Sequence, residues 1–207
     1  MKLLDTPQSI HDPASAVAVY AEVALFEAMG SDPWVAKLLD YGVAGESFYV
    51  VMQRYPASLK RWRATQGHGL GYSELAAKMP LYLGIYAQSI EAVSALEKYG
   101  IVHFDVKADN FLLEPAPGCS LVEFWTPCGN AHDAPFSVVV TDFGESCMFV
   151  GEAGGSGGTV HNRGTEYIKS PEMLTISNAS KQNLKGYDRR RRHTCGRPSD
   201  VWALGRA

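Results

Sequence analysis

The residues that could do chemistry lie together in His103-Phe104-Asp105-Val106-Lys107-Ala108-Asp109-Asn110. Asp105 offers a carboxylate, Lys107 a cation, and Asn110 an amide oxygen. A carboxylate can orient an attacking hydroxyl and take its proton. An ammonium can hold a transferring phosphate, and an amide oxygen can ligate a metal ion. This division of labour suits phosphoryl transfer, where positioning and charge stabilisation do most of the catalysis. Taken alone, so short a string also fits a polar turn between a helix and a strand. A second marker, Asp142-Phe143-Gly144, follows an apolar run ending at Thr141. An acidic residue at a strand end suits a Mg2+ ligand, although the same tripeptide also makes an ordinary β-turn.

These residues need elements to hold them. Tyr72 to Tyr99 reads as a long helix, with Ile85, Ala92, Val93 and Leu96 on one face and Gly100 as its stop. Phe111-Leu112-Leu113 and Ser137 to Thr141 read as strands flanking a turn-rich insertion from Pro115 to Pro135, expected as a surface excursion. Upstream, Asp12 and Pro13 suit the start of a helix carrying Val19, Val23, Phe26 and Met29, ended by Gly30 to Pro33. Lys2-Leu3-Leu4, Val35 to Leu39 and Phe48 to Met52 suggest short strands. Gly151 to Gly158 reads as a flexible stretch and Ser177 to Arg197 as a polar, arginine-rich segment.

Composition narrows the classes. With 46% hydrophobic and 20% charged residues, the 207-residue chain can bury a sizeable core. A net charge of −3 leaves no overall electrostatic footprint for nucleic acid or an anionic membrane. No stretch approaches the roughly 20 apolar residues of a membrane span, and Met1 to Asp5 breaks too early for a signal peptide. Cys119, Cys128, Cys147 and Cys195 form no C-x-x-C pair, which favours free thiols in a reducing compartment. The expectation is a cytoplasmic protein without nucleic-acid or membrane partners, with the arginine run leaving the nucleus open.

In order along the chain, the two markers are followed by Gly164-Thr165 to Ser170-Pro171-Glu172 and by Ser199-Asp200-Val201-Trp202-Ala203-Leu204-Gly205. This series resembles the eukaryotic protein-kinase family. The resemblance implies an α+β, two-lobed fold with a small sheet-and-helix N-terminal lobe and a mainly helical C-terminal lobe. Residues 1–207 would form a partial kinase domain, truncated at both ends: 1–52 a remnant of the small lobe, 53–207 the hinge and the first part of the large one. It implies ATP and Mg2+, with Asp105, Lys107 and Asn110 catalytic and Asn110 and Asp142 on the metal. Lys2, held by Glu22, would position the remaining phosphates, with Glu27 a weaker substitute for Glu22. Met52, Gln53 and Tyr55 would line the adenine hinge. Lys107 and Thr165 are similar to the serine/threonine-specific pattern, implying a protein substrate with a serine or threonine acceptor. His103 is expected to support the loop, Cys147 to be packed and Asp109 to face solvent.

The chain departs from that pattern at Phe104, where the family usually carries an arginine that binds an activation-loop phosphate. Switching by phosphorylation of Ser146, Ser156 or Thr159 is therefore expected to be weak or absent. The family's glycine-rich ATP-covering loop would lie upstream of Met1. Two other functions stay open at this point. A pseudokinase or truncated interaction module fits the missing loop, whereas the retained Asp105, Lys107, Asn110 and Asp142 speak against it. A small-molecule kinase of the choline or aminoglycoside type shares the Asp and Asn residues, but Thr165 and Ser170-Pro171-Glu172 suit a protein substrate instead.

Overall fold

The computed structural model describes residues 13–66, 71–125, 134–149, 159, 161–181 and 195–206. Helix α1, Pro13–Met29, opens on proline, whose missing N–H costs nothing at a first helical position. It closes at Gly30, which takes a left-handed φ of 55° and returns its N–H to the Phe26 carbonyl at 3.0 Å. Strands β1 (Leu38–Ala44) and β2 (Ser47–Met52) form an antiparallel pair beside it. Gly42 lets them approach, because a Cβ there would meet the Tyr49 hydroxyl at 2.8 Å.

The strand expected over Val35 to Leu39 is displaced: β1 starts at Leu38. Val35 instead makes an isolated parallel bridge to Val140. Asp32 Oδ1 accepts the Trp34 N–H at 3.0 Å, turning the chain so that Val35 and Ala36 enter the core. The proposed strand at Lys2-Leu3-Leu4 and the cap at Asp12 lie outside the described residues, as do Gly151 to Gly158.

Strand β3 (Ala57–Ser58) leads into helix α2 (Leu59–Thr65) and then helix α3 (Tyr72–Glu97). Helix α3 stops two residues short of Tyr99, because Lys98 to Gly100 form a closing turn with Gly100 at φ 68°. Strand β4 (Ile101–Val102) follows, then β5 (Phe111–Pro115), helix α4 (Leu121–Trp125), β6 (Phe136–Val140) and β7 (Cys147–Met148). A 3-10 turn at Glu166–Ile168 precedes α5 (Pro171–Lys181) and α6 (Pro198–Leu204). Helix α5 thus extends into the polar segment that begins at Ser177, and residues 182–194 lie outside the description.

Strands β3, β5 and β6 form an antiparallel sheet in that order, while β4 pairs with β7. Val138, Val139 and Val140 are all buried, as in a strand covered on both faces. Leu81, Ile85, Ala92 and Leu96 of α3 share this core.

The insertion between Pro115 and Pro135 is not simply a surface excursion. Its Phe124 is fully buried and lies tilted against Phe136 at 5.8 Å, and Phe136 meets Trp62 edge-on at 4.9 Å. Aromatic area sealed against the sheet outweighs the turn-rich composition around it. Phe124→Ala should cost about 3–5 kcal/mol, read as a lower denaturant or thermal midpoint. An unchanged midpoint would mean that the insertion contributes nothing to the core.

Candidate active site

The loop between β4 and β5 is held from behind. Asp200, at the first turn of α6 and 4% exposed, accepts the backbone N–H groups of His103 and Phe104, both at 2.7 Å. Burial pushes this carboxyl's pKa up, and attraction from His103 and the two N–H donors work against that rise. The double grip supports an unusual backbone. Phe104 sits at φ 63°, a left-handed conformation that a bulky residue adopts only when its surroundings enforce it. His103 completes the support: its Nδ1 accepts from Asp105 N at 3.2 Å and its Nε2 faces the Thr141 carbonyl at 3.0 Å. With Nδ1 accepting, Nε2 carries the proton and donates.

Asp105 is thereby presented to a cluster of donors. Lys107 Nζ reaches Asp105 Oδ2 at 2.6 Å, and Asn110 Nδ2 donates to the same oxygen at 3.2 Å and to the Asp105 carbonyl at 3.0 Å. Thr165 donates to Oδ1 through its N–H at 2.9 Å and its hydroxyl at 2.6 Å, and its Oγ1 accepts from Lys107 at 3.0 Å. Burial pushes the Asp105 carboxyl up, but Lys107 and Thr165 together outweigh it and hold the pKa below the ordinary carboxylate value. Burial pulls Lys107 down, and the Asp105 carboxylate more than offsets this, so the ammonium's pKa is raised. Gly164, at φ 76°, makes the approach possible, because a Cβ there would fall 2.1 Å from the Phe104 carbonyl oxygen.

Asp142 takes the second left-handed conformation outside glycine among the described residues, φ 68°. Its charge acts on the Lys107 ammonium and adds to the rise in that group's pKa. Phe143 points into the core, edge-on to Phe26 of α1 at 4.9 Å and tilted against His103 at 5.2 Å. One aromatic contact chain therefore joins α1 to the loop carrying Asp105. Asn110 and Asp142 offer hard oxygen donors of the kind Mg2+ prefers, and the Nδ2 bonds of Asn110 fix which end of its amide is left for a cation.

Phe104 itself is 5% exposed and packs with Val102, Met173, Ile176 and Cys195, and edge-on with Phe149 at 6.4 Å. An apolar cluster therefore stands where a guanidinium would have met a phosphate. It ties the segment after β7 to α5, supplemented by the β4–β7 pair and a two-bond bridge between Thr159 and Cys195.

The profile of the family described as "Protein kinase domain" matches residues 1–207. The chain belongs to the protein kinase family. It is 39% identical over 206 residues to a probable serine/threonine-protein kinase of Dictyostelium discoideum, covering 99% of this chain and 8% of that protein. It is also 27% identical over 167 residues to Serine/threonine-protein kinase PINK1, mitochondrial, of Rattus norvegicus, and 26% identical to the Mus musculus protein of that name. Those two alignments cover 78% of this chain and 22% of each relative. The kinase chain therefore spans only a small part of these relatives' length.

The other expected site residues of the kinase are distributed around this centre. Gln53 Nε2 bonds Glu114 Oε1 at 2.9 Å, and the Tyr55 hydroxyl accepts the Lys37 N–H at 3.1 Å, so the segment after β2 is fastened on both sides. Met52 is half-buried against the core. Glu22 is half-buried on α1, whereas Lys2 lies outside the described residues. Glu27, the substitute for Glu22, is exposed and accepts from the Tyr41 hydroxyl at 2.7 Å. Asp109 keeps a solvent-accessible side chain, 39% exposed, and pairs at the surface with Lys60 Nζ at 3.0 Å. Cys147 is half-buried, and burial raises its thiol pKa. The grip of Asp200 joins residues brought together only by folding, whereas Lys169 meets partners three and seven residues away in the chain.

The depressed pKa of Asp105 has a stability consequence. A carboxyl held below its unfolded value, about 3.9, contributes stability that is present above that pH and is lost as pH falls through the folded value. The midpoint difference between wild type and Asp105→Asn should therefore be largest near neutrality and shrink below about pH 4. A difference that stays constant down to about pH 3 would contradict an ionic hold on Asp105.

Proposed function

We propose that this kinase domain transfers the γ-phosphate of ATP to a serine or threonine hydroxyl of a protein. The observation carrying the reading is the Asp105 carboxylate held jointly by Lys107, Asn110 and Thr165. Asp105 would orient the acceptor hydroxyl towards the γ-phosphorus and receive its proton as the new O–P bond forms and the bond to ADP breaks. With its low pKa, Asp105 is a weak base, so its larger contribution is orientation, with the proton arriving late. Lys107 would turn from Asp105 to the transferring phosphate. Lys2, with Glu22, is assigned to the remaining phosphates, and Met52, Gln53 and Tyr55 to the adenine edge. Asn110 and Asp142 would hold Mg2+, which when bound supplies charge neutralisation for the phosphates.

The serine/threonine preference draws support from the contact of Thr165 with both Asp105 and Lys107, and from the printed names of the relatives. We place the protein in the cytoplasm, in keeping with the free thiols of Cys119, Cys147 and Cys195. The reading includes no nucleic-acid or membrane partner. No helix among the described residues is long and apolar enough to cross a membrane.

Two measurements on the folded chain test this reading. Calorimetry should show Mg2+-dependent ATP binding that Asp142→Asn abolishes; binding indifferent to Mg2+ or to that substitution would remove the metal assignment. Asp105→Ala should slow transfer to a serine- or threonine-bearing peptide by about 10²–10⁴, and an unchanged rate would remove Asp105 from the reaction.

A further inference from the structure

Lys169 is a buried cation that the transfer reaction as described does not use. Its side chain is 3% exposed, yet its Nζ carries a charge that needs partners. It donates to Asn162 Oδ1 at 2.7 Å and to Glu166 Oε1 at 2.9 Å. Ile168 beside it is buried and apolar. Burying an ammonium is costly even when it is paired, and a well-packed apolar residue of similar volume is often as stable or more so. Packing alone therefore does not account for a lysine here.

We propose that Lys169 is a positioning residue for phosphoryl transfer: its ammonium closes residues 162–169 into a ring that holds Thr165 on Asp105. The two acceptors lie on either side of Gly164 and Thr165. Within the ring, Gly164 rests against the Phe104 carbonyl and Thr165 directs two donors to Asp105 Oδ1. The flank of the ring is fixed separately, by Arg163 donating to the Glu145 carbonyl at 3.0 Å and Gly164 N to Glu145 Oε2 at 3.3 Å. Because Thr165 Oγ1 also receives Lys107, a loosened ring displaces both the carboxylate and the cation assigned to the reacting groups. A displacement near 1 Å is enough to cost about 10² in rate. The adenine side of the cleft lies on other elements and should not respond.

The proposal rests on the kinase reading, and its test uses the full chain with one readout independent of activity. Lys169→Met keeps length and removes charge. Hydrogen exchange over residues 161–170 should accelerate about tenfold or more at the Thr165 amide. The kcat for peptide transfer should fall about 10–100-fold, with the KM for ATP and the thermal midpoint unchanged. Glu166→Gln should reproduce part of the loss without adding fully to that of Lys169→Met. Exchange at Thr165 as slow as in wild type would overturn the ring, and so would a kcat within about twofold of wild type. If the wild-type chain transfers no phosphate, the kinase reading fails, while the exchange comparison still decides the ring. If Lys169→Met does not fold, Glu166→Gln carries the same two readouts alone, with the same outcome overturning the proposal.

Discussion

One buried carboxylate sets the geometry on which the site depends. Asp200 receives the amides of two successive residues, and that grip keeps Phe104 in a left-handed conformation costing on the order of 1–3 kcal/mol. The turned backbone sends the Phe104 ring into one apolar cluster and its carbonyl towards Gly164, while Asp105 is delivered to the cleft. Each later contact assumes this turn. Thr165 can reach Asp105 because Gly164 lacks a side chain, and Lys107 can bridge the pair because both oxygens are held still.

Around that turn the site is supported by two kinds of packing. On one side, Phe143 joins His103 to Phe26, so the position of α1 is mechanically connected to the loop bearing Asp105. On the other, Phe104, Phe149, Met173 and Ile176 exclude water where an arginine would have invited an anion. The side chains of the cluster are uncharged, while Arg163 borders it through the bond of its N–H to Met173 Sδ. The described residues of this segment are held by apolar burial and backbone pairing.

Local features were legible in the sequence and non-local ones were not. His103 to Asn110 could be read because Asp105, Lys107 and Asn110 are close in the chain, and hydrogen bonds now join them. The helix over 72–97 was visible in its periodic apolar face, with its end displaced by the turn at Gly100. Asp200 looked like one letter of a motif, since its partners stand 96 and 97 residues away. Phe124 was hidden because prolines and glycines around it signal turns, and no local pattern says that one ring among them is sealed against a sheet. Val35 read as strand from its composition, yet the Asp32 turn gave it a single bridge to β6 instead.

The most direct test of this account is peptide phosphorylation by Asp200→Asn, compared with wild type after circular dichroism confirms the fold. The amide matches the carboxylate in shape but turns an NH2 group towards one of the two backbone donors, leaving that N–H without an acceptor. The account expects transfer to fall by about 10² or more as the loop relaxes. Transfer at the wild-type rate would show that the turn at Phe104 stands without Asp200, and the central claim would be wrong.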